Sequence, residues 1–403
     1  MKYRKRILPL LLCAGLLSAC GRSETMSEQE ISAMESIAES VAESVAESVA
    51  ESMMASLQEG QGATNESQTN GESQAASSQD VTESQATESS QASSNPAPIG
   101  DGFAAEHGAL KVDGAKLVDQ NGDDIQLYGM STHGIAWFPQ FVSYDSFKTL
   151  RDDWNTNCVR LAMYTHEYNG YCAGGDQDYL KSLVRTGVDA ATDLGMYVII
   201  DWHVLQDQDP NVYKDQAIKF FEEMSETYAD HTNVLYEICN EPNGYATWES
   251  VKSYAEEVIP VIRANDPDAI IIVGTPTWSQ DIDKAKADPL DFDNVLYALH
   301  FYAGTHKDVL WNRLDSCVQN GLPVFISEFG MCDASGNGAN DFASTESWFN
   351  VIEKYNISFC CWNLANKDES SSVFKASCTK TSDWTDDDLN ESGKWIRDYF
   401  RSK

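Results

Sequence analysis

From Ile125 to Asn363 the chain repeats one pattern eight times: a short apolar run, then an amphipathic stretch. The runs are Ile125–Met130, Cys158–Met163, Tyr197–Trp202, Val234–Cys239, Ile270–Gly274, Val295–His300, Val324–Glu328 and Ser358–Asn363. Rich in Val, Ile and Leu, they do not alternate apolar with polar residues, as strands covered on both faces require. Helical patterns fill the intervals at Tyr144–Trp154, Tyr179–Leu194, Ala217–Ala229, Trp248–Asn265, Ser279–Lys286, Asp308–Asn320 and Ala343–Tyr355, and an eighth, Asn390–Phe400, closes the chain. Eight β-then-α units predict an α/β fold, a closed (β/α)8 TIM barrel rather than an open sheet. A hairpin at Leu110–Val118, turning near Asp113-Gly114, precedes the first run.

A single segment can supply the core. The 403 residues include 10 Trp, 17 Tyr and 15 Phe, yet after Tyr3 the next aromatic residue is Phe103. A stretch that long without an aromatic ring cannot bury enough apolar area to offset its ordering entropy. One catalytic domain is therefore expected over 99–403, preceded by a Ser/Glu/Gln-rich low-complexity linker over 20–98. In that linker Ile37, Val41, Val45 and Val49 recur every four residues, which supports at most a marginal helix. Its expected role is reach.

The first 19 residues read as a signal peptide: Lys2, Arg4, Lys5 and Arg6, then the mainly apolar Ile7–Leu17. Leu17-Ser18-Ala19-Cys20 resembles the lipobox of bacterial lipoproteins, which implies cleavage before Cys20 and lipidation of its sulfur. The expected location is extracellular, anchored to the cell membrane as a lipoprotein, with membrane contact only through that lipid. Eight cysteines remain in the domain. Cys158, Cys239, Cys360 and Cys361 sit in apolar runs, where Cys acts as a small buried hydrophobe. No pair has Cys-x-x-Cys spacing, so neither a metal nor a cofactor is expected.

The formal net charge is −35. Residues 1–98 carry 5 basic and 14 acidic side chains, and the rest carry 23 and 49. Such a domain repels phosphate backbones and anionic headgroups, which excludes nucleic acid as a partner and favours a neutral substrate.

Polar residues gather at the C-terminal ends of the runs: Ser131-Thr132-His133, Arg160, Asp201-Trp202-His203, Asn240-Glu241-Pro242, His300-Phe301-Tyr302, Glu328 and Trp362-Asn363. Barrel active sites are assembled on that face. Glu241 ends the fourth run and Glu328 the seventh, facing each other across the barrel mouth. A single Glu at a strand end is ordinarily a salt bridge to a loop. Two of them, framed by Asn, His, Tyr and Trp, fit an acid and a nucleophile acting on an acetal.

Tyr236-Glu237-Ile238-Cys239-Asn240-Glu241-Pro242-Asn243-Gly244 resembles the Asn-Glu-Pro motif of glycoside hydrolase family 5, and Ser327-Glu328-Phe329-Gly330 resembles its nucleophile motif. Gly129–Gly134, Val159-Arg160, Ile199–His203 and Leu299–Tyr302 match the family's other strand ends in order, so the likeness covers nearly all of Gly108–Phe400. It is closest to the bacterial endo-β-1,4-glucanases, a subgroup that Trp362–Glu369 supports. Cys239 stands where relatives more often carry Ala.

The resemblance implies a retaining double displacement with Glu328 as nucleophile and Glu241 as proton donor and base. Arg160 should hold Glu328 charged, and Glu328 in turn should raise the pKa of Glu241. Tyr302 should orient Glu328 and Asn240 should bond the sugar 2-hydroxyl. His300 would support catalysis, and His133 and His203 would position sugar hydroxyls or the groups behind them. Tyr164, Trp137, Trp278 and Trp362 are candidate substrate platforms, since the apolar face of a glucose ring fits an aromatic ring. Lys367 and Glu369 match polar subsite residues. His166, His231 and His306 have no assigned role.

The expected partner is a β-glucan polysaccharide or cello-oligosaccharide, bound by a monomer. Residue types leave β-mannan, xyloglucan and mixed-linkage β-glucan open under the same mechanism. A catalytically silent glycan-binding lipoprotein would be expected to lack one carboxylate, and both are present. No aromatic-rich segment outside the barrel indicates a separate carbohydrate-binding module.

Overall fold

Eight parallel strands close on themselves in the order β10-β3-β4-β5-β6-β7-β8-β9. They are β3 Tyr128–Thr132, β4 Cys158–Tyr164, β5 Tyr197–His203, β6 Val234–Cys239, β7 Ile270–Val273, β8 Val295–Tyr302, β9 Val324–Gly330 and β10 Phe359–Leu364. A two-stranded antiparallel hairpin, β1 Lys111–Asp113 and β2 Lys116–Val118, lies outside the barrel sheet. The computed structural model describes residues 96–403, so the signal peptide, Cys20 and nearly all of the linker lie outside the described residues.

The continuous apolar runs divide their side chains between two cores. Along β5, Val198, Ile200 and Trp202 join the layer between sheet and helices, whereas Tyr197 and Ile199 point into the barrel. Leu235, Ile272, Leu296, Phe325 and Cys360 fill the same interior. Leu110, Leu117 and Ile125 belong to that cluster too, so the hairpin segment closes the barrel's N-terminal end. The Tyr197 hydroxyl donates to the Gly108 carbonyl at 2.6 Å, tying the plug to the wall.

Four of the helices start where the sequence offers a side-chain cap. Ser143, Asp176 and Asp341 accept backbone N–H bonds at the starts of Tyr144–Asp152, Gln177–Asp193 and Phe342–Tyr355. Thr247 and Ser250 form a reciprocal capping box ahead of Trp248–Asn265. These caps hold the helix N-termini at the strands' C-terminal end, where the loops converge.

Two stretches differ from the pattern read in sequence. The first barrel strand begins at Tyr128 and includes Ser131 and Thr132, because Ile125 and Leu127 pack below it in the plug. The helix expected over Ser279–Lys286 begins only at Ile282. Before it, Thr277, Trp278 and Ser279 hold positive φ values of 59°, 53° and 53°. Left-handed backbone costs a non-glycine residue about 1–2 kcal/mol. Bonds offset that strain: Ser279 Oγ donates to the Asn240 carbonyl at 2.6 Å, and the Trp278 amide to the Pro242 carbonyl at 3.0 Å.

Strand irregularities fall at the reactive positions. Between β8 and β9 the pairing steps from Ala298↔Phe325 to His300↔Glu328, so β9 carries one extra residue. Between β6 and β7 it steps from Glu237↔Ile272 to Cys239↔Val273, again with one extra residue, on β6. Such bulges re-aim side chains. On β9 they let the consecutive residues Ser327 and Glu328 both reach the interior groups described below.

Candidate active site

One rung above the apolar interior, Arg160, Asp201 and Glu237 are all fully buried. Arg160 is the hub. Its Nε donates to Glu237 at 2.6 Å, one Nη to Asn240 Oδ1 at 2.6 Å, and the other to Ser131 Oγ at 3.1 Å and Glu328 at 3.4 Å. Asp201 lies 3.0 Å from the same guanidinium. Three carboxyl groups crowd one cation away from water, and burial pushes the Asp201 carboxyl well above the usual carboxylate range while Arg160 pulls it back.

A second chain of bonds leads to Glu241. Ser327 Oγ donates to Glu237 Oε1 at 2.6 Å, and His300 Nε2 lies 2.9 Å from Ser327 Oγ. Because the serine proton goes to Glu237, its oxygen must accept, so His300 Nε2 carries a proton. His300 Nδ1 then faces Glu241 Oε1 at 2.9 Å. Burial alone would depress this imidazole, but hydrogen bonding to Glu237 and Glu241, with the charges of Glu328 and Glu241, raises it to about 9. A proton is thereby held between His300 and Glu241.

Glu328 accepts the Tyr302 hydroxyl at 2.8 Å. Burial and the Glu241 carboxylate push its carboxyl up to about 7, while His300, Arg160 and Tyr302 pull it back. Arg160, expected to hold Glu328 charged, does pull its carboxyl down, but burial outweighs that pull: the guanidinium is bonded most closely to Glu237 and Asn240, and Glu328 receives its longest contact. Tyr302 and Arg160 still bond to the ionised form of Glu328.

Asn240 is fully buried, and its amide is engaged at both ends. Nδ2 donates to His203 Nε2 and the Val204 carbonyl, both at 3.2 Å. A sugar 2-hydroxyl would have to replace one of those bonds. Behind it, His203 Nδ1 bonds Asp201 at 2.6 Å, which fixes the imidazole with Nε2 as acceptor.

An aromatic floor surrounds these groups. Tyr164, Trp362 and Ala162 form a small cluster with Trp137 and Tyr302 packed against it. Trp362 stacks on His203 at 5.3 Å between centroids, and Trp137 meets Tyr164 at 4.5 Å. Burial depresses His133 to about 3, so it is a neutral member of the wall rather than a charge. Its Nδ1 accepts the Gly134 amide. Lys367 pairs with Glu369 at 2.8 Å, and Glu369 is held by Asn363 and Ser371. Trp278 stands partly exposed on its left-handed turn beside the Asn240–Pro242 backbone. Of the three unassigned histidines, His306 accepts the Tyr302 amide at 2.8 Å and so braces the residue that holds Glu328.

Sequence reasoning missed Glu237 and Ser327. The available signal was a charged residue inside an otherwise apolar buried strand, two places past the inward Leu235. All eight domain cysteines are free.

Among the described residues Glu241, His300 and Glu328 each offer a donor atom within 4.8 Å of the others. That spacing would suit a cation, but Arg160 already supplies positive charge at Glu328 and His300 at Glu241. The same spacing suits two carboxyl groups acting on one bond.

The chain matches the cellulase family, glycosyl hydrolase family 5, over residues 118–368. It is 53% identical to endoglucanase A of Butyrivibrio fibrisolvens over 295 residues, covering 72% of this chain and 68% of the relative. It is 48% identical to an endoglucanase of Clostridium saccharobutylicum over 291 residues, covering 72% and 64%. The chain thus spans about two thirds of the length of these curated relatives. Among solved structures, the catalytic domain of Thermobifida fusca endoglucanase Cel5A in complex with cellotetraose superposes with a TM-score of 0.69 at 38% identity, covering 74% of this chain and 99% of that one.

Proposed function

Since the chain belongs to the cellulase family, glycosyl hydrolase family 5, we propose that it is a retaining endo-β-1,4-glucanase hydrolysing internal bonds of cellulose and related β-glucans. One observation carries this reading: carboxylate oxygens of Glu241 and Glu328 lie within 4.8 Å of each other. Retaining glycosidases separate their carboxyl groups by about 5–5.5 Å, and inverting ones need about 6.5–9.5 Å to admit water.

Glu328 attacks the anomeric carbon while Glu241 gives its proton to the departing glycosidic oxygen, leaving a covalent glycosyl ester on Glu328. Esterification removes the negative charge facing Glu241. Glu241 then takes a proton from water, whose oxygen displaces Glu328 and restores both groups. His300 holds the second proton position at Glu241, and Tyr302 and Arg160 receive the carboxylate of Glu328 as it departs. The relatives' names as endoglucanases and the bound cellotetraose in the Thermobifida fusca enzyme support a β-1,4-glucan substrate. Extracellular anchoring through Cys20 belongs to the same proposal and rests on the lipobox-like sequence; Cys20→Ser should move the enzyme from the membrane fraction to the medium.

Nuclear magnetic resonance of fresh hydrolysate tests the mechanism, and the β-anomer should appear first. Azide should rescue Glu328→Ala with an α-glycosyl azide and Glu241→Ala with a β-glycosyl azide. Initial release of the α-anomer would overturn the role of Glu328. A panel of cello-oligosaccharides, mannan and xyloglucan tests the substrate separately.

A further inference from the structure

Large apolar side chains left exposed are ordinarily scattered singly over a surface. Here they are not. Among the described residues seven are exposed: Tyr144, Tyr168, Tyr179, Val212, Tyr245, Trp278 and Val309. Each lies in a segment that leaves the C-terminal end of a barrel strand. Tyr144 opens the helix after β3; Tyr168 and Tyr179 lie in the loop and first helical turn after β4. Val212, Tyr245 and Trp278 follow β5, β6 and β7, and Val309 lies in the first turn of the helix after β8. Those segments make up the catalytic face of such a barrel. Along the remaining length of the helices, and in the loops of the opposite face, no described residue of this kind is exposed.

Two of the seven are tied to the cleft. Trp137 Nε1 donates to the Tyr168 carbonyl at 2.8 Å, and the Trp278 amide donates to Pro242, next to Glu241. Tyr144 and Tyr179 stand exposed in the first turns of the helices after β3 and β4, and Tyr245, 63% exposed, follows Glu241 by four residues. Exposed tyrosines present a flat apolar ring with a hydroxyl at its tip, which matches the alternating apolar faces and hydroxyl edges of pyranose rings. The acidic domain repels an anionic partner but not a neutral polymer. Exposed apolar residues confined to one end of the barrel, the end that carries the cleft, point to an interaction site.

We propose that the catalytic face as a whole docks on the surface of an insoluble β-1,4-glucan, with Tyr144, Tyr179 and Tyr245 contacting chains outside the cleft. The inference rests on the proposed substrate. The full chain and its Tyr144→Ala/Tyr179→Ala/Tyr245→Ala variant are compared for adsorption to microcrystalline cellulose and for kcat/KM on soluble cellohexaose. Adsorption of the variant should fall about tenfold or more, with kcat/KM on cellohexaose and the melting temperature unchanged. Replacing the same three residues by Trp should restore or strengthen adsorption. Unchanged adsorption of the Ala variant would overturn the proposal. So would wild-type dimers in sedimentation that the variant dissociates while adsorption stays constant, since a second copy would then be the occupant. Failure of the wild type to cleave cellohexaose would sink the substrate reading and leave the adsorption result to be read by itself.

Discussion

The barrel interior has two halves built from the same strands. Toward the N-terminal end, Tyr197, Ile199, Leu235, Ile272, Leu296 and Phe325 pack on the hairpin segment as an apolar plug. Two residues further along three of these strands the inward positions are Asp201, Glu237 and Ser327, joined by Arg160 from β4. The lower half excludes water through apolar packing. The upper half keeps a cation and three carboxylates dry, an arrangement that apolar residues of equal volume would often match or exceed in stability. Side chains that stabilise so little where they stand are explained by what they position: Glu328 and Glu241.

Removing the hub should separate the halves most strongly. Arg160→Met leaves Asp201, Glu237 and Glu328 buried without their cation, and should cost about 3–5 kcal/mol in urea unfolding, together with nearly all activity. In the plug, Ile272→Val should cost about 1 kcal/mol and leave kcat/KM of the folded enzyme unchanged. Equal stability losses with equal loss of activity would mean that the upper half is only scaffold.

Glu237→Gln is a finer cut. An amide offers one acceptor oxygen, so it cannot receive both Arg160 Nε and the Ser327 hydroxyl. The serine would turn and donate to His300, whose Nε2 would give up its proton. We expect kcat/KM to fall on the order of tenfold, the equivalent of one charge-assisted hydrogen bond, with KM nearly constant. Nitrogen chemical shifts should report His300 losing its Nε2 proton, and the His300 titration should move down from about 9, because one of the partners that raised it is gone while Glu241 and Glu328 remain. An unmoved titration would make Glu237 a bystander.

How much of this was legible in sequence follows the same division. The plug and helix layer were read from uninterrupted runs such as Tyr197–Trp202, since burial on both faces leaves that mark. The site's members were found because polar residues at strand ends stand out against those runs. Glu237 and Ser327 were not found: each stands two places past an inward residue, Leu235 and Phe325, but Ser327 adjoins the more conspicuous Glu328 and Glu237 lies inside its strand, four residues before Glu241. The helix after β7 was read from Ser279 rather than from Ile282 because no glycine marks the left-handed turn at Thr277–Ser279. Its support comes from Asn240 and Pro242, far off in sequence.

The smallest effect tests whether the upper half trades stability for reactivity. Burial and Glu241 raise the Glu328 carboxyl to about 7 from its ordinary 4.5. The nucleophile must be ionised, so kcat/KM should rise with pH through about 7 and fall about tenfold per unit below it. The folded state binds this proton more tightly than the unfolded chain. The resulting contribution to stability is therefore present in full below the unfolded value and is lost as pH rises through about 7. Activity and this part of stability should run in opposite directions over the same interval. Glu328→Gln removes the titration, so the difference in melting temperature between wild type and variant should change in the variant's favour between pH 5 and pH 8. Ile272→Val, which titrates nothing, should show a constant difference over that range. A flat difference for Glu328→Gln would mean that Arg160 and Tyr302 outweigh burial, with the ionised nucleophile held at no expense to the fold.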